Sequence, residues 1–74
     1  MAPLNPLSYA DTRRKLITAG FFEVNQVGSH VKFATSTEAG TRTAIVPKHR
    51  EISVGTLRSI LRQAGISTDE WESL

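Results

Sequence analysis

Apolar residues recur along this chain with two different periods, and the change of period marks its elements. From Tyr9 to Gly20 the spacing is helical. Tyr9, Leu16, Ile17 and Gly20 fall on one side, with Arg14, Lys15 and Thr18 elsewhere. Ser8 can cap the first turn, and Asp11 suits the positive end of a helix. Asp11 and Lys15 stand one turn apart as an expected ion pair. Gly20 is a natural stop, so the pattern predicts a helix over residues 9–19. Before it, residues 1–7 carry two prolines and read as an irregular lead-in.

The period then drops to two. Phe21 to Val27 is rich in aromatic and β-branched residues. Gly28-Ser29 reads as a two-residue turn in which glycine supplies the positive φ of a type II′ hairpin. In His30 to Thr35 the alternation is clean. Val31, Phe33 and Thr35 face one way, and His30, Lys32 and Ala34 the other. Ser36 to Gly40 is a polar loop, Thr41 to Val46 a third strand, and Pro47 its end. Lys48-His49-Arg50-Glu51 is a charged connection.

Helical spacing returns after Ser53, with Val54, Leu57, Ile60, Leu61 and Ala64 as the apolar stripe and Gly65 as the stop. Arg58 and Arg62 sit one turn apart on another face. Ser67-Thr68-Asp69-Glu70 has the capping-box pattern and opens a last short turn, with Trp71 and Leu74 as its apolar side. The expected class is α+β, in the order α-β-β-β-α, as a single domain over residues 1–74. Short loops between consecutive strands imply an antiparallel three-stranded meander. Two amphipathic helices need an apolar surface, so both are expected on one sheet face. The other face is then open, and it carries His30 and Lys32.

Charge sharpens this picture. The chain's formal net charge is only +2, yet residues 1–62 hold nine basic against four acidic side chains, a net +5. The last twelve residues hold Asp69, Glu70 and Glu72 and nothing basic. A small body this basic is either a polyanion binder or simply a solvated charge distribution with no function. There is no cysteine, which removes disulfides and thiol chemistry and fits a reducing compartment, so the cytoplasm is the expected location. No apolar run approaches the roughly 18–20 residues that span a bilayer, so no membrane role is expected. Met1 to Pro6 has neither the positive run nor the apolar stretch of a secretory leader.

The acidic residues of the body, Asp11, Glu23, Glu38 and Glu51, are scattered over different elements, and no P-loop or dinucleotide glycine pattern occurs. Two histidines fall short of a typical three-ligand zinc centre. No metal or other cofactor is expected. His30 stands out by position, directly after a tight turn and beside Lys32 on the open face. An exposed imidazole can give and take a proton near neutral pH, and a neighbouring ammonium can hold a phosphate. These parts can activate a ribose 2′-hydroxyl against its own adjacent phosphate. The plainer alternative is a surface histidine with no role. His49 is either a second proton-transfer group, an RNA contact or a solvated loop residue. Lys48, Arg50, Arg58 and Arg62 gather around the start and outer face of the second helix as candidate RNA contacts. The backbone N–H groups of Ser53 to Thr56 are either a phosphate site or a simple cap. Arg13-Arg14-Lys15 reads as solvated, and Trp71 and the phenylalanines read as core.

These residues resemble the HicA toxin family, the small mRNA interferases of HicA–HicB toxin–antitoxin pairs. Four segments carry the resemblance: Leu16-Ile17-Thr18-Ala19-Gly20-Phe21, Gly28-Ser29-His30-Val31-Lys32-Phe33, Ile45-Val46-Pro47-Lys48-His49, and Ile52 through Ile66. The second matches the family's Gly-Ser-His signature. The resemblance implies a fold like a double-stranded-RNA-binding domain and ribosome-independent cleavage of mRNA. It places the essential histidine at His30, on the Gly28-Ser29 turn. It also implies a HicB-type antitoxin that covers the RNA-facing surface. It does not assign Lys32, Lys48, His49, Arg50, Arg58 or Arg62; those rest on charge and geometry alone. The proline-containing lead-in is longer than in the shortest members, and the body is less basic than in many. Two other readings stay open on the sequence: a small RNA-binding domain that does not cut, and a pure interaction protein.

Overall fold

The computed structural model describes residues 3–74. Its elements run α1 (Tyr9–Thr18), β1 (Phe22–Val27), β2 (His30–Thr37), β3 (Gly40–Pro47), α2 (Val54–Ala64) and α3 (Thr68–Glu72). The strands form one antiparallel sheet in the order β1-β2-β3. This is the expected α+β architecture of a double-stranded-RNA-binding domain, with the last short turn wound into a third helix.

Local chemistry sets the boundaries. Ser8, Ser53 and Ser67 each stand at a helix N-cap, and their side chains accept from the N–H groups of Asp11, Thr56 and Glu70. Both long helices end in a Schellman motif. Phe21 N–H donates to the Leu16 carbonyl after α1, and Ile66 N–H to the Leu61 carbonyl after α2. At Gly65 the backbone has φ +72°, a left-handed conformation that glycine adopts without the strain a side chain would bring.

The core lies on one side of the sheet. Val31 and Phe33 from β2 and Ala44 and Val46 from β3 meet Leu16 of α1, four residues of α2 and Trp71 of α3. All three helices therefore cover one face, as the two amphipathic stripes require. The alternation in β2 holds without exception between His30 and Phe33, whose burial runs exposed, buried, half-buried, buried.

Four details differ from the sequence expectation. Ile17 is 41% exposed, and Thr12 is buried in its place on α1. A helix turns by about 100° per residue, so Ile17 falls well away from Leu16, whereas Thr12 lies one turn below it. The Thr12 hydroxyl donates to the Ser8 carbonyl at 2.9 Å, which satisfies it inside the helix. Lys15 does not pair with Asp11. Its ammonium donates to the Trp71 and Leu74 carbonyls at 2.8 and 3.3 Å and lies 5.5 Å from the centre of the Trp71 ring. The stretch between the second and third strands is a tight turn, because Thr37 pairs with Gly40 and its hydroxyl donates to the Gly40 carbonyl. The lead-in is also tied down: Leu7 and Ile52 exchange backbone hydrogen bonds of 3.1 and 2.6 Å. Met1 and Ala2 of that lead-in lie outside the described residues.

Candidate active site on the open sheet face

The face opposite the helices is built from three cross-strand rows. Val27, His30 and Pro47 form the first, Asn25, Lys32 and Ile45 the second, and Phe22, Ala34 and Thr43 the third. Directly opposed residues of an antiparallel pair share a face. Since Val31 and Phe33 are buried under the helices, His30 and Lys32 project from the other side.

His30 is the first residue of β2, and its backbone is held by the turn before it. Gly28 has φ +59°, the positive value that the first central position of a type II′ turn requires. The Gln26 side-chain amide donates to the Gly28 carbonyl at 2.8 Å. From the other strand, Lys48 N–H donates to the Ser29 carbonyl at 2.6 Å. The turn is thus fixed from both sides, and the imidazole it presents is exposed. Lys32 follows two residues later, about 7 Å along the strand. An imidazole and an ammonium stand side by side on this face, with Glu23 turned to the helix side, where it pairs with Arg13.

The remaining sequence candidates divide. The bond from Lys48 to Ser29 brings the 48–51 loop against the Gly28-Ser29 turn, and His49 and Arg50 are exposed within it. The Lys48 ammonium itself lies 5.6 Å from the centre of the Tyr9 ring, on α1. The Tyr9 phenol is held above its ordinary value by burial first and by the Glu23 carboxylate second. Arg58 and Arg62 are exposed on α2, whose buried side faces the far side of the sheet from His30. The structure therefore does not gather them with His30. Ser53 Oγ accepts from Thr56 N–H and bonds the Thr56 hydroxyl, so the first turn of α2 is capped from within. The sequence pattern has Arg13, Arg14 and Lys15 all solvated, but Arg13 pairs with Glu23 and Lys15 holds the chain end at Trp71 and Leu74, which leaves Arg14.

The sequence reading missed Phe22, which is 63% exposed in the third row. The doublet Phe21-Phe22 carried the signal. Neighbouring residues at a strand entry point to opposite faces, so only one ring could enter the core, and Phe21 is the buried one.

Compared with protein-family models, residues 9–66 match the one described as HicA toxin of bacterial toxin-antitoxin. The chain belongs to the HicA toxin family. The match runs from the first residue of α1 to just beyond α2, so all three strands, the Gly28-Ser29 turn and His30 lie inside the HicA region. Only α3 and the lead-in fall outside it. Membership gives the chain the toxin role of a toxin–antitoxin system and implies an antitoxin partner. The comparison with curated proteins returns no match. Among the described residues no helix is long and apolar enough to cross a membrane, and no three His, Asp or Glu side chains gather as metal ligands.

Proposed function

We propose that this HicA-family chain is an endoribonuclease that cleaves mRNA, with His30 as general base and without a metal cofactor. The observation that carries the reading is the exposed imidazole beside Lys32 on a sheet face that no helix covers. His30 takes the proton from a ribose 2′-hydroxyl. The 2′-oxygen attacks the adjacent phosphorus, the bond to the 5′-oxygen breaks, and that oxygen leaves with a proton from water. The products are a 2′,3′-cyclic phosphate and a 5′-hydroxyl end. Lys32 steadies the phosphate as its charge develops. His49 and Arg50, in the loop tied to the Gly28-Ser29 turn, contact the flanking backbone, and so does Lys48 once its ammonium leaves the Tyr9 ring. Arg58 and Arg62 act from the far side only through their long-range field.

Purified protein incubated with RNA in EDTA should shorten it on a denaturing gel. RNA that is bound but left intact would support the rival reading, a small RNA-binding domain without catalysis. Steeply salt-dependent affinity is common to both, so it cannot separate them.

The partner in this proposal is a HicB-type antitoxin that neutralises the toxin by covering the His30 face. A carboxylate-lined surface would complement Lys32 and the exposed loop cations. Antitoxin and RNA should then exclude each other. A stable ternary complex on a single chain would contradict this arrangement.

A further inference from the structure

The Phe22 ring is the feature of the open face that neither acid–base chemistry nor phosphate binding uses. Burying such a ring is worth about 1.5–3 kcal/mol, yet this one stays in solvent. Scattered exposed apolar residues are ordinary on a protein surface. Phe22 is not scattered. It shares its face with Val27, 75% exposed, and Ile45, 40% exposed, and with His30 and Lys32 between them. This face thus offers a flat ring and a cation within one surface, the two kinds of group that hold single-stranded nucleic acid.

The row around Phe22 shapes what can sit there. Its cross-strand neighbour is Ala34, and Thr43 lies beyond. Both are small, so neither side chain can cover the ring. A β-bulge between Glu23 and Asn25 interrupts the ladder one residue beyond Phe22. Such bulges add twist and re-aim the side chains beside them. From the His30 row to the Phe22 row is four residues along β2, about 13 Å. Lys32 and Asn25 stand between the two, a cation and an amide, and no row of this face carries a carboxylate.

We infer that Phe22 is a base-stacking platform that takes one unstacked base of single-stranded RNA near the phosphodiester presented to His30. The inference deepens the nuclease reading and rests on it for the identity of the ligand. An aromatic ring on an open sheet face, with cations alongside, is a common way to hold single-stranded RNA, because every base offers a flat face. A duplex keeps its bases stacked on one another and cannot supply one. Phe22 therefore selects single-stranded over paired RNA at the cleavage site.

The test uses 2′-O-methyl oligonucleotides, which lack the attacking hydroxyl, with 2-aminopurine placed at each position in turn. Wild-type protein should quench the fluorescence most strongly at one position near the bound centre. Phe22→Leu keeps an apolar side chain but no ring face. It should lose that quench and bind about tenfold more weakly or worse, the ordinary size of one base–aromatic stack. Phe22→Trp should keep both. His30→Ala should quench like wild type, which separates this inference from the catalytic one: quenching without any cleavage by the wild type would overturn the nuclease reading and leave the stack standing. Unchanged quench and affinity in a folded Phe22→Leu would overturn the stack. Lost antitoxin binding in Phe22→Leu, with RNA binding intact, would also overturn it and assign the ring to a protein contact.

Discussion

His30→Ala is expected to lower the rate of RNA cleavage by about 10²–10⁴-fold, the usual contribution of a positioned general base. The fold should not change with it. His30 is exposed at the start of β2, and the Gly28-Ser29 turn is held by Gln26 and by the backbone of Lys48, not by the imidazole. The thermal unfolding midpoint should therefore stay within a few degrees of wild type, and RNA affinity should fall little. Cleavage assays on the variant, run beside circular dichroism, separate the two effects. A folded His30→Ala that still cleaves at the wild-type rate would remove the imidazole from the mechanism.

Trp71→Ala is expected to have the largest effect on stability. Trp71 is only 1% exposed and lies in the core with Leu16, Phe33 and residues of α2, although it belongs to a five-residue helix outside the family match. Truncating a buried tryptophan costs about 3–5 kcal/mol. A 74-residue domain has in total about 4–11 kcal/mol, at the usual stability per residue. The change therefore removes a large share of the whole. It also removes the ring over which the Lys15 ammonium lies as it donates to the Trp71 and Leu74 carbonyls. At about 4–8 °C per kcal/mol for a domain of this size, the midpoint should drop by at least about 12 °C. Phe22→Leu is the contrasting control, since that ring is exposed and its loss should leave the midpoint nearly unchanged. A Trp71→Ala midpoint within about 5 °C of wild type would mean that α3 is dispensable to the core.

The elements that place His30 were legible in the sequence because their signals are local. The alternation in β2, the Gly28-Ser29 turn and the three serine caps each depend on residues within a few positions of one another. What escaped depends on distant partners or on side chains of mixed character. Lys15 finds its acceptors 56 and 59 residues away, so helical spacing suggested Asp11 instead. Thr12 is buried because its hydroxyl bonds the Ser8 carbonyl, and a hydropathy pattern counts it as polar. The Gln63 side chain accepts from the N–H of Ile45 and covers that group on an edge strand, a contact between elements that no motif announces. The bulge in β1 has no composition signal either. Lys48, Arg50, Arg58 and Arg62 looked like one cluster because they are close in sequence. The fold sends the Lys48 ammonium to Tyr9, keeps Arg50 in the loop beside the Gly28-Ser29 turn and leaves Arg58 and Arg62 on a helix behind the sheet.

The most direct measurement is the chemistry of the ends produced when the pure protein cuts RNA in EDTA. Attack by a neighbouring 2′-hydroxyl leaves a 2′,3′-cyclic phosphate on one fragment and a 5′-hydroxyl on the other, and 2′-O-methylation at the cleaved position blocks the cut. Fragments bearing 5′-phosphates, or equal cutting of the methylated strand, would show that water or another nucleophile attacks, and the role given to His30 would be wrong.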